Sequence, residues 1–297
     1  MLRTAFAAAI LASATPAFAQ PVAATAPAGD PGLPDPNDQS DTFTIAAGGA
    51  YIPDYEGSND YKFTPFGAIR GRVSGLNFST RGTYLYVDLI RRPDTGIDID
   101  VGPIVGIRRE RVSKIEDDFV RIFGKRKTAI EIGGFAGVTV HGVTNPYGAL
   151  SVRLDVVSDV GNAHESTVFT PNIDFGTPLS KRTYVSLGAS ADFVSNRYAE
   201  YYYSYALLRA GQAQAAGPNG PQFAPPPASY NAKGGMKNWK LTALVNQSIT
   251  GDLTHGLSIF GAATYSRLVG SIGRSPFVDD RGSKSQWQTV LGLAYTF

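Results

Sequence analysis

Three histidines, His141, His164 and His255, are the only imidazoles in the chain, and it has no cysteine. A thiolate metal site and a disulfide framework are both excluded. His164 is followed by Glu165 and Ser166, with Asp159 shortly before it. These are the residue types of a Ser-His-acid hydrolase, where the imidazole takes the hydroxyl proton and a carboxylate orients the ring. Such a set needs geometry that adjacency does not supply, and the plainer reading of His164 is a hydrated loop histidine. A second group consists of charges in mid-segment: Asp98, Asp100, Arg108, Glu131, Arg153, Asp155, Asp192 and Lys240. They either line a small channel or pair across a narrow lumen, and their mixed signs favour pairing. A third is the tyrosine cluster Tyr198, Tyr201, Tyr202, Tyr203 and Tyr205. It would stack a ligand or, the preferred reading, form an interfacial girdle with its hydroxyls at the headgroups. The glycines of GGFAG (133–137) lie inside a strand pattern, and no GxxxxGK[ST] phosphate loop is present. Nothing in these motifs calls for a cofactor or a metal.

The elements that must carry these residues alternate with period two. IDIDVGPIVGIR sets Ile97, Ile99, Val101, Val105 and Ile107 against Asp98, Asp100 and Arg108. GALSVRLDVV sets Leu150, Val152, Leu154 and Val156 against Ser151, Arg153 and Asp155. The same alternation predicts strands over 42–52, 61–71, 74–80, 82–90, 96–110, 127–141, 146–159, 167–178, 182–194, 236–250, 254–268 and 284–297. Most exceed the usual length of about 5–6 residues and suit the roughly 9–11 needed to cross a bilayer at a tilt. Charges recurring on one face suit a polar lumen. The fold class expected is all-β, a closed antiparallel transmembrane β-barrel of twelve strands; a soluble β-sandwich is the alternative. The segments 74–80 and 82–90 are the weakest pair, but an even count keeps them separate.

Short turns at 142–145, 179–181 and 251–253 alternate with longer loops at 53–60, 111–126, 195–235 and 269–283. With both termini periplasmic, the long loops are extracellular. His141 and His255 then lie across an apolar band about 25–30 Å thick from His164, which precludes a three-histidine site. Pro65, Pro103 and Pro171 fall inside predicted strands, where each loses a ladder donor. Bulges are one remedy.

MLRTAFAAAILASATPAFAQ carries Arg3, an apolar run and the small-residue site Ala17-Phe18-Ala19. It reads as a secretory signal over 1–19. A Pro/Ala-rich flexible leader follows over 20–41, then a barrel over 42–297. A net charge of +2 gives no reason to expect a nucleic-acid partner. Glycine (33) and aromatics (16 Phe, 15 Tyr) far outnumber methionine (2), which suits hairpins and girdles of a barrel wall.

Several stretches resemble the MipA/OmpV family of outer-membrane proteins, also called MltA-interacting proteins. They are GGAYIPDYEGSNDYKFTPF (48–66), GNAHES (161–166), SNRYAEYYYSY (195–205), residues 230–270, and RSPFVDD with the final GLAYTF. They occur in family order; the tract GQAQAAGPNGPQFAPPPA (211–228) is a departure. The resemblance implies localisation in the outer membrane of a Gram-negative cell, surrounded by its lipid, and no enzymatic activity. It implies a scaffold linking a lytic transglycosylase to a penicillin-binding protein in murein turnover; a narrow diffusion channel for small solutes is the other reading. Leu291, Leu293, Tyr295 and the final Phe297 resemble the C-terminal signal read by the barrel assembly machinery.

Overall fold

Each period-two segment presents one apolar and one polar face, so it is stable only where each face meets its own medium. The computed structural model describes residues 40–90, 96–113, 115–205 and 229–297. The expected signal and nearly all of the leader lie outside the described residues. Twelve strands form: β1 (Thr42–Pro53), β2 (Tyr61–Val73), β3 (Leu76–Arg81), β4 (Tyr84–Asp88), β5 (Ile97–Arg108), β6 (Ala129–His141), β7 (Ala149–Asp159), β8 (Thr167–Ser180), β9 (Thr183–Val194), β10 (Gly235–Ser248), β11 (Gly256–Leu268) and β12 (Ser285–Thr296). Each pairs antiparallel with its sequence neighbours, and β12 closes on β1 from Thr44↔Thr296 to Tyr51↔Thr289. Closure leaves no full-length edge, the condition for a sheet in hydrocarbon.

The apolar faces point outward. Ile97, Ile99, Val152, Leu187, Leu241, Leu291 and Leu293 are all exposed, as a lipid-facing wall requires. Aromatic rings border this wall at both ends. At the long-loop end Trp239, Tyr265 and Trp287 sit 5.4 and 5.1 Å apart, with Tyr51 stacked on Tyr61. At the end bearing the termini, Phe43 meets Phe78 and Phe297, and Tyr295 meets Phe297. From Trp287 to Tyr295, β12 runs roughly 26 Å at about 3.3 Å per residue. Tilted as barrel strands are, that spans an apolar band of roughly 20 Å.

The wall is uneven. β3 and β4 are short, and the β2–β3 ladder ends at Arg70↔Ser79. Above it the Ile69 N–H donates to Thr80 Oγ1 (3.0 Å). Since Ile69 faces β3, so by alternation do Phe63, Pro65 and Gly67, where β3 no longer runs. Pro65 therefore loses no ladder bond. Pro103 lies where the β4–β5 register stops at Tyr86↔Ile104. Below it the Val101 N–H is taken by the Asp88 side chain (3.2 Å). The β8–β9 register passes from Phe169↔Phe193 to Asn172↔Ser190, leaving Pro171 between them. The irregularities lie elsewhere than at these prolines, at Met236/Asn238 and Pro178/Ser180.

Short helices absent from the strand pattern fill the long-loop end: α1 (Asp118–Ile122), α2 (Asn196–Tyr203), α3 (Gly270–Gly273) and α4 (Pro276–Asp279). Asp117 caps α1 through the Val120 N–H, and Ser195 caps α2 through the Tyr198 N–H. The helices pack on one another and on the inner wall in two apolar clusters. One joins Tyr198, Tyr202 and Tyr203 to Ile104, Leu268 and Ile272; the other joins Phe119 and Phe277 to Tyr55 and Tyr205.

Candidate functional site

Charges on the inward faces of β3 to β10 find polar partners, most of them on the same strand or an adjacent one. Arg81 on β3 reaches Asp174 on β8 (3.3 Å), strands far apart around the wall. Arg153 bonds Asp155 (2.6 Å), which also accepts from Tyr86 and Asn172. Arg108 bonds Glu131 (2.8 Å), which accepts from Tyr84 as well (2.6 Å). Asp98 pairs with His141 (2.8 Å) and Asp100 accepts from Thr139 (2.6 Å). Lys240 bonds Asp192 (2.9 Å). All eight predicted lumen charges thus have polar partners. They form separate pairs rather than one lined path.

The strongest constellation was not legible in the alternation. Lys237 and Glu56 are absent from the predicted set. Lys237, 1% exposed, bridges Glu56 and Asp192, both at 2.9 Å. Alternation places Lys237 outward with Trp239. The irregularity at Met236/Asn238 shifts the parity, so Lys237 and Asn238 are both buried. Glu56 enters from the β1–β2 loop and also accepts from Asn238 (2.8 Å) and from the Tyr203 hydroxyl on α2 (3.0 Å). Gln286 of β12 accepts the Gly57 N–H and donates to the Ser58 carbonyl, pinning the same loop. Gly57 takes φ +104° against Val278 of α4, a close approach under a positive φ that favours glycine. One loop carboxylate therefore ties the β1–β2 loop, α2, β9 and β10 into a plug.

Around it sits a small cavity lined by Tyr55, Glu56, Glu110, Arg111, Tyr202, Tyr203 and Phe277. Burial pushes the Glu56 carboxyl up, but the Lys237 ammonium outweighs it and leaves Glu56 below the usual carboxylate range. Burial and the Glu56 charge push Glu110 up, although Glu110 accepts the Glu56 N–H (2.9 Å). Burial also brings Arg111 down to about 10. Because folding raises its pKa, Glu110 costs stability at neutral pH, whereas Glu56 supports folding until pH falls through its lowered pKa. Glu110→Gln keeps an acceptor for the Glu56 N–H and removes the repulsion. Its expected outcome is a higher unfolding midpoint at pH 7, with the gain gone near about pH 4, where the wild-type carboxyl is protonated anyway. Thermal unfolding in lipid vesicles at both pH values measures it.

Two sequence expectations are corrected. The tyrosines of 198–205 are not an interfacial girdle: Tyr198, Tyr202 and Tyr203 of α2, and Tyr205 just after it, are buried in the plug, because this segment folds into the barrel mouth. The girdle rings are the strand aromatics above. His164 is not a hydrated loop histidine. It is 2% exposed, packed on Tyr198 and Tyr202, with Nε2 2.8 Å from Glu131. The Ser166 hydroxyl bonds Ser195 instead (2.5 Å) and lines an outer groove with Phe169, Phe193 and Arg197. His164 and Ser166 thus make no hydrogen bond to each other. His141 and His255 lie at the end bearing the termini. Among the described residues no group of three His, Asp or Glu side chains is placed to hold a metal.

A family model described as MltA-interacting protein MipA matches residues 45–297. The chain belongs to this family. The match to this MipA family runs from Ile45, inside β1, to Phe297 and includes the plug loops. No curated protein matches the chain. Among solved structures, the NanC porin superposes with a TM-score of 0.49 at 10% identity, covering 84% of this chain and 98% of that one. A FadL homologue from Pseudomonas aeruginosa gives 0.34 at 10% identity, covering 86% and 89%. The anion-selective porin from Comamonas acidovorans gives 0.35 at 10% identity, covering 87% and 99%.

Proposed function

We propose that this MipA-family barrel is a non-enzymatic outer-membrane scaffold that works by binding rather than by conduction. Its lumen is held shut at the long-loop end, which faces the outside, while its partners engage the opposite, periplasmic rim. The carrying observation is the Glu56–Lys237–Asp192 network, which fills the mouth with paired charge and packed tyrosines. A barrel built to pass solutes would leave these charges open to the lumen. The family description points to a lytic transglycosylase as partner; a penicillin-binding protein would be recruited beside it. The chain reaches the membrane through its signal and the assembly machinery, which reads Leu291, Leu293, Tyr295 and Phe297.

The test is in-cell photo-crosslinking from Gly142, Ser180 and Asp252. The expected result is capture of a lytic transglycosylase; capture of assembly factors alone counts against the scaffold. A second reading, a gated narrow channel, draws on the Arg81–Asp174 pair, whose side chains remain 45% and 38% exposed inside the barrel. Planar-bilayer recording decides between them. The expected wild-type trace has no steady open level, and a sustained current would favour the channel.

A further inference from the structure

The short β3–β4 hairpin leaves the wall two strands short at the long-loop end, and nothing above accounts for that notch. On one flank, Tyr61–Gly67 of β2 pair with β1 but have no described strand on the other side. Phe63 and Gly67 direct N–H and C=O groups into the gap, and Pro65 a C=O alone. On the other flank, β5 is capped by Thr83, whose hydroxyl donates to the Ile107 carbonyl. The outward side chains at the border are apolar and exposed: Phe63 at 73%, with Ile107 on β5 and Ile130 opposite it on β6. The Phe63 ring lies back over Gly49, so it does not cover this edge, which has no backbone partner among the described residues.

Unpaired backbone groups at membrane depth need a polar partner. A strand from a second chain is the usual occupant of a free edge. Pro65, in the middle of this edge, lacks the donor that such a ladder requires. The long-loop rim on the β5 flank is basic instead. Arg109 follows β5, and Lys125 and Lys127 precede β6; all three are exposed, and none has an ion-pair partner among the described residues. The β5–β6 pairing Arg108↔Ala129 and the Arg126 N–H to Arg111 carbonyl bond (2.8 Å) hold both segments together.

We infer that the notch binds a phosphorylated lipid of the surrounding leaflet. Its phosphate sits among Arg109, Lys125 and Lys127, a headgroup oxygen accepts from the Phe63 N–H, and an acyl chain lies along Pro65, Gly67 and Ile107. This needs only the membrane-embedded barrel and is independent of the scaffold reading.

Native mass spectrometry of the full chain, released from detergent micelles doped with bisphosphorylated lipid A or its dephosphorylated form, tests the site. The wild type is expected to retain the phosphorylated lipid preferentially. Lys125→Ser/Lys127→Ser, at two exposed positions, is expected to lower that retention about 25-fold, near fivefold per charge, with the dephosphorylated lipid unaffected. Heat-modifiable gel mobility checks folding, and Lys125→Arg/Lys127→Arg should retain wild-type binding. Equal retention of both lipids by the wild type, or an unchanged phosphate preference in the serine variant, would overturn the assignment.

Discussion

Lys237→Met is expected to destabilise the barrel by about 3–5 kcal/mol, the usual effect of stranding buried charges. The ammonium lies between Glu56 and Asp192 with 2% of its side chain exposed. Its loss leaves Asp192 with Lys240 and Thr170, but Glu56 with only the neutral donors Asn238 and Tyr203. Urea unfolding in lipid vesicles, read through the emission of Trp239 and Trp287, gives the number. The triple change Glu56→Gln/Asp192→Asn/Lys237→Met removes the charges together and should recover much of the loss, since those groups act as a unit. Equal losses in the single and triple variants would mean that Lys237 matters by packing alone. The same single variant should also admit ion flow, because Glu56 is what ties the β1–β2 loop to α2 and β10.

The second large effect concerns the opposite face. Leu291→Arg is expected to cost about 2–4 kcal/mol, the range for a cation near the midplane of a lipid-facing wall. Leu291 is 64% exposed and lies between the two aromatic belts of β12. In a soluble sheet so exposed a leucine would accept arginine within about 0.5 kcal/mol. Gln288→Arg is the control: Gln288 is exposed but belongs to the opposite parity, toward the lumen. A small effect at Gln288 beside a large one at Leu291 identifies the outer medium as hydrocarbon. Comparable small effects would remove the membrane assignment of this face.

Much of the wall follows from local pattern. The alternation in IDIDVGPIVGIR or WKLTALVNQ survives any tertiary detail, because the β side-chain period is two and each face must find its own medium. The strand count, the separation of β3 from β4 and the β1–β12 closure are of this kind. The belts were only half legible. Their composition suggested a girdle, but the tyrosine-rich 198–205 segment drew attention away from the strand rings that form it. Tyr198 and Tyr202 carry the helical i, i+4 spacing, and that period should have suggested a packed helix face.

What each strand shows to its surroundings is written in the chain, since it is a local property of side-chain order. How the mouth is closed depends on long-range contacts. Lys237 reaches Glu56 across a sequence separation of 181 residues, and it does so only because one irregularity in β10 reverses its face. His164 finds Glu131 only because the 160–166 loop folds over the top of β6. The notch beside Pro65 likewise exists only relative to the strands around it. Register shifts, loop docking and strand ends depend on which neighbours a residue meets, and a period-two pattern carries no record of them.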